Sequence, residues 1–215
     1  LNNHEKKFLL DQLNRNDLTQ KTLHYHKIWV VSEGNRFLSK IKNYFNYDII
    51  SIVVNFVDQL AHRRSESDVL KEMVPDETSY RKAVRSWYQN SWIRGVLSEL
   101  QKKGYNVVVT SDHGSIMVNE SSIVKANRNS SSGVRYKHGM NINSSDKSSI
   151  DIRNLKEFRL PELGLRSNYL IAKDDYFFLY PNQQRKYTNL LEKSFQHGGI
   201  SLEEMMVPVF IMNPK

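Results

Sequence analysis

The run Val107-Val108-Val109-Thr110-Ser111-Asp112-His113-Gly114 constrains the fold of this chain most. Three consecutive valines shortly after Gly104 read as a strand buried on both faces, the pattern of a parallel sheet covered by helices. The run stops at a carboxylate and an imidazole. Open α/β sheets gather their ligands at the carboxyl ends of strands, and an Asp-His pair placed there can hold a divalent cation.

Two other stretches repeat the scheme. An apolar run over residues 49–57 ends in Asp58-Gln59-Leu60-Ala61-His62. If residues 58–62 open a helix, the i,i+4 spacing puts Asp58 and His62 on one face. Near the end of the chain, His197-Gly198-Gly199 precedes Ser201-Leu202-Glu203-Glu204 and a last apolar run over 205–210. Taken singly, the motifs also suit an end-of-strand cap, an ordinary helical pair and a turn histidine. The weight falls on all three occurring in order. Asp/His ligation without cysteine suits zinc in a catalytic site with an open position, and also manganese. One of Glu203 and Glu204 is a candidate to orient a ligand imidazole from behind; capping a helix or facing solvent is the equal alternative.

Periodicity fills in the rest. Residues 5–15 read as a helix, 23–31 as a strand, and 33–46 as a helix capped by Ser32. A long helix is expected from about 76 to 103, closed by Gly104. Strand–helix–strand repetition argues an α/β fold with a largely parallel sheet and helices on both faces. Residues 119–149 turn polar and Ser/Asn-rich and read as a long loop. Residues 168–173 and 176–180 read as a hairpin, and 207–212 as a last strand. No linker divides the chain, so residues 1–215 read as one domain.

The 215 residues carry no cysteine, so thiolate metal sites and disulfides are excluded. No apolar run reaches the roughly 20 residues of a membrane helix. With no signal-peptide core at the N-terminus, a cytoplasmic protein is expected. A formal charge of +8 favours anionic partners, although the basic residues are scattered.

In this order, Asp-x-x-x-His, Asp-His-Gly and His-Gly-Gly resemble the motifs of the alkaline-phosphatase superfamily, and above all its PglZ domain, over almost the whole chain. Residues 55–58 (Asn-Phe-Val-Asp), 135–137 (Arg-Tyr-Lys) and 212–215 (Met-Asn-Pro-Lys) look further like the C-terminal part of PorX-like response regulators of type IX secretion. The resemblance implies two divalent ions, zinc first and manganese second. It places Asp58, His62 and His197 on one ion, and Asp112 and His113 on the other. It also implies a phosphodiesterase or phosphatase acting on nucleotide or oligonucleotide phosphodiesters, with cyclic nucleotides as one such class. Arg128, Arg135 and Lys137, in the polar stretch, are candidates to clamp the substrate phosphate, with a solvated loop as the equal alternative. The resemblance favours the phosphate contact for Arg135 and Lys137.

The family's first metal-binding Asp and its hydroxyl nucleophile precede Asp-x-x-x-His, and nothing in residues 1–50 resembles them. The nucleophile is therefore unassigned. The chain is expected to be the C-terminal part of such a domain, without its first strand and nucleophile helix, and by itself inactive. A receiver domain is expected upstream, and pairing with a second copy along the sheet edge. The alternative is a regulatory module that binds a partner protein or nucleotide without turnover.

Overall fold

The computed structural model describes residues 4–126, 131–162, 164 and 166–214. Arg128 lies outside them.

Helix α1 (Glu5–Arg15) is held to strand β1 (Leu23–Ile28) by Glu5, whose carboxylate accepts from Lys27 Nζ at 3.0 Å and from the Tyr25 hydroxyl. Helix α2 (Val31–Ser39) begins earlier than its Ser32 cap predicts. Glu33 reaches back to the amides of Trp29 (2.8 Å) and Val30 (3.4 Å), satisfying N–H groups that no helical carbonyl can. A single 3-10 turn, Ile41–Tyr44, leads to β2 (Ile49–Val54), which pairs with β1 in parallel from Leu23↔Ile49 to Ile28↔Val54.

Next come α3 (Phe56–Glu66) and α4 (Asp68–Met73). The expected long helix is two, α5 (Glu77–Asn90) and α6 (Trp92–Lys102), because Ser91 is extended (φ −96°, ψ 169°). Beyond β3 (Val107–Thr110) the chain forms β4 (Ile116–Val118), β5 (Glu120–Ile123), β6 (Tyr136–Met140), β7 (Ser149–Ile152), β8 (Ser167–Ala172), β9 (Tyr176–Leu179), α7 (Gln184–Leu191), β10 (Ser194–Gln196), α8 (Leu202–Met205) and β11 (Val209–Met212).

The chain divides into two compact units drawn from interleaved segments. One reaches to Gln59 and adds Arg81–Val108 and the residues from Ile211; the other takes Leu60–Tyr80 and Val109–Phe210. No linker separates them, and the cut falls inside α3. The first unit packs Ile28 of β1, Phe37 of α2, and Trp92, Val96 and Leu100 of α6 into one apolar cluster. The second holds three smaller clusters, around Phe178, Phe177 and Tyr169.

The α/β class stands, but the strands form small separate sheets, some parallel and some antiparallel. β1–β2 and β5–β9 are parallel, whereas β10–β4 and β6–β8–β7 are antiparallel. Strand β3 pairs with β11 and is not buried on both faces: Val108 is 59% exposed. The 168–180 hairpin does not form. Val134-Arg135 lies between its arms, and their carbonyls accept from Phe178 N (2.8 Å) and Ala172 N (2.9 Å). The expected polar loop carries β5, β6 and the start of β7.

Candidate metal centre

Register brings two of the three motifs together. In the antiparallel β10–β4 ladder, Gln196 faces Ile116. The next residue, His197, therefore continues opposite the turn that carries His113. The two imidazoles stack, with centroids 3.8 Å apart and planes 14° apart. The ring of His62, on α3, lies 5.5 Å from that of His197, edge to face.

Arg64, two residues after His62, is buried. It donates to the carbonyl of Lys193 just before β10 (2.6 Å), to that of Pro75 (2.9 Å), and to that of Val74. It thereby fastens the helix carrying His62 to the strand leading into His197. Asp58 stands one turn earlier on the same unbroken helix and is carried with His62. The rings of His62, His113 and His197 thus converge within the second unit.

This grouping takes one residue from each motif. His113 stacks on His197, whose ring is also beside that of His62. The Asp112 side chain is 89% exposed; its Oδ1 accepts from His113 N at 3.1 Å and is 3.8 Å from His113 Nε2. His113 Nδ1 lies 2.9 Å from the carbonyl oxygen of Gly114. A carbonyl only accepts, so Nδ1 donates, which leaves Nε2 as the nitrogen that can face an ion.

The donors suit a divalent cation. Three imidazoles this close suit an ion held by bonds of about 2.0–2.1 Å to nitrogen. His62 is exposed and the other two histidines are half-buried, which keeps the centre open to a substrate.

Behind the histidines lies a buried ion pair. Arg135 donates from Nε (2.9 Å) and Nη2 (2.6 Å) to the two carboxylate oxygens of Glu204. Burial alone would raise the Glu204 carboxyl; hydrogen bonds from Arg135 and the Gly199 amide, with the charge of Arg135, outweigh it and hold the group below the usual carboxylate range. A carbonyl–amide bond joins Glu204 to Gly114 (2.8 Å). A Cβ on Gly114 would stand 1.8 Å from the Glu203 carbonyl oxygen, so only glycine fits there. Gly198, at φ +102°, makes the turn after His197.

Two sequence expectations change here. Arg135 is fully buried, its guanidinium committed to Glu204 and to the carbonyls of Lys173, Asp174 and Tyr176. It has no donor left to clamp a substrate phosphate. Lys137 is also buried; Nζ donates to Ser131 O (3.2 Å) and lies 4.2 Å from the centre of the Tyr180 ring. Burial lowers its ammonium to about 8. Arg64 is not legible in the sequence as a site residue. Glu204 is one of two candidate orienters of a ligand imidazole there and Arg135 a candidate phosphate contact, but their pairing with each other is not legible. Ser201-Leu202-Glu203-Glu204 is a capping-box pattern, which the structure forms.

Comparison with known proteins bears on the family and the fold. The model of the BREX system PglZ alkaline phosphatase-like domain matches residues 2–212. No curated protein matches the chain in sequence. Two solved structures of phosphonoacetate hydrolase from Sinorhizobium meliloti 1021 share its fold. The complex with phosphonoformate is 14% identical with a TM-score of 0.50. The complex with phosphonoacetate is 15% identical with a TM-score of 0.51. Each match covers 85% of this chain and 50% of the hydrolase, so the chain spans about half that protein's length.

Proposed function

The chain belongs to the PglZ alkaline phosphatase-like family, and from that premise we propose that His62, His113 and His197, with Asp58 one turn before His62 on its helix, supply ligands to divalent cations for hydrolysis of a phosphate ester. The observation that carries this is the convergence of three imidazoles, one from each motif, with ring centroids 3.8 Å (His113–His197) and 5.5 Å (His62–His197) apart. Asp112, whose Oδ1 is 3.8 Å from His113 Nε2, is a further donor for a second ion. Zinc fits the donors best, with manganese next. When bound, the cation neutralises phosphate oxygens and stabilises the leaving oxygen.

The chain's own residues supply the rest. The His113 Nδ1–H bond to Gly114 fixes which nitrogen faces the ion. Exposed His62 leaves an approach for substrate. The charge of +8 favours an anionic ester, and we assign phosphodiesters, oligonucleotide or cyclic, as the substrate class. A response regulator of type IX secretion, with a receiver domain upstream, is the setting suggested by residues 55–58, 135–137 and 212–215.

Titration with Co²⁺ or Zn²⁺ tests the site. Binding that weakens at least about tenfold in His197→Ala supports it. Absence of binding at micromolar metal overturns it. Hydrolysis of bis(4-nitrophenyl) phosphate by the whole protein, lost after chelation and restored by zinc, supports the reaction. Metal binding with no turnover assigns the chain instead to a regulatory module.

A further inference from the structure

We propose that Glu204, held by Arg135, is a positioning residue that latches the His113 and His197 turns together and so sets the geometry of the metal ligands. The inference rests on the metal reading above. Glu204 touches both turns, by different parts of itself. Its Oε1 accepts from Gly199 N at 2.8 Å, two residues after His197. Its Oε2 accepts from Ser201 N at 3.1 Å. Its backbone carbonyl accepts from Gly114 N at 2.8 Å, one residue after His113. Arg135 takes the remaining lone pairs of the carboxylate through Nε and Nη2.

The far side of Arg135 is anchored as well. Its other donors reach the carbonyls of Lys173 (3.3 Å), Asp174 (2.7 Å) and Tyr176, the turn between β8 and β9. A continuous series of bonds therefore runs from that turn, through Arg135 and Glu204, to both histidine loops. The Arg135 and Glu204 side chains are 0% and 2% exposed, so water does not compete for these bonds. A simple brace needs one attachment to one loop. Glu204 is bonded to the turn that follows each of the two stacked histidines, and the short distance between them depends on both. Groups that fix ligand orientation from behind in this way commonly govern metal affinity.

The test begins with amide exchange in metal-free wild type. Gly114 and Gly199 N–H are expected to open together, with the same denaturant dependence; different dependences overturn the latch. In Glu204→Gln both amides should lose protection while Leu170 and Phe177 keep theirs. Co²⁺ affinity should fall by about 10–100-fold, and the visible Co²⁺ spectrum should shift. A folded E204Q protein with wild-type protection, affinity and spectrum overturns the proposal. If E204Q does not fold, Arg135→Met with Glu204→Met, which leaves no unpaired buried charge, takes its place. In that double variant, lost protection and weakened Co²⁺ binding support the latch, and wild-type values of both overturn it. Wild type that takes up no Co²⁺ sinks the metal reading and the positioning role with it. E204Q that binds Co²⁺ as wild type does sinks the positioning role alone.

Discussion

The two compact units differ in what they bury. Among the described residues, the first buries apolar side chains and Gly34, with Trp92 and Val96 at the centre. Every buried polar or charged side chain, from Arg64 to Glu204, belongs to the second. An apolar interior needs shape and little direction. A polar interior needs a partner for each donor and acceptor, because an unpaired one costs about 1–3 kcal/mol. The second unit meets that demand around the two histidine turns. Its polar burial surrounds the histidine turns; the first unit is held by apolar packing.

The largest effects sharpen this contrast. Trp92→Ala should cost about 3–5 kcal/mol through lost packing, by a similar amount at pH 4 and pH 7. Arg135→Met should also cost about 3–5 kcal/mol near pH 7, by stranding the Glu204 charge. Its loss should shrink in acid. The native carboxyl titrates below its ordinary value, so its contribution is complete above the unfolded carboxylate range and lost as pH falls through the native one. Denaturant melts of both variants across pH 3–7 check this. A pH-independent loss for Arg135→Met would break the comparison.

Two glycines give a matched pair of intermediate size. A Cβ on Gly34 would stand 2.0 Å from Trp92 ring atoms, and one on Gly114 1.8 Å from the Glu203 carbonyl oxygen. Each alanine should cost roughly 1–3 kcal/mol by overpacking, but only Gly114→Ala should weaken Co²⁺ binding. Equal metal affinities in the two variants would remove the distinction between scaffold and site.

The smallest effect comes from Lys137. With its native pKa lowered to about 8 by burial, the unfolded chain holds that proton more tightly between there and the ordinary lysine value. Its penalty is complete below pH 8 and fades as pH rises towards 10.5. Lys137→Met should therefore stabilise by about 1 kcal/mol at pH 7 and by less at pH 10. A destabilised variant at pH 7 would show that the Ser131 bond and the Tyr180 contact outweigh the burial.

Local sequence determined the pieces of the site. The spacing of Asp58 and His62 depends only on the helical period. Asp112-His113-Gly114 at the end of a valine run, and His197 before two glycines, follow from chain order and turn chemistry. The first-unit core at Phe37, Trp92, Val96 and Leu100 follows apolar periodicity in the same way. Tertiary structure decided what those pieces meet. The exposure of Val108 depends on what covers β3, and valine is apolar in either case. The separation of β8 from β9 depends on Val134-Arg135 entering between them from elsewhere in the chain. Arg135 shows the division most plainly. Its charge and its place in a polar stretch suggested a phosphate clamp, yet its partner is Glu204, 69 residues away. Composition and periodicity carry no information about which distant carboxylate a buried guanidinium meets; only packing of the whole chain makes that choice.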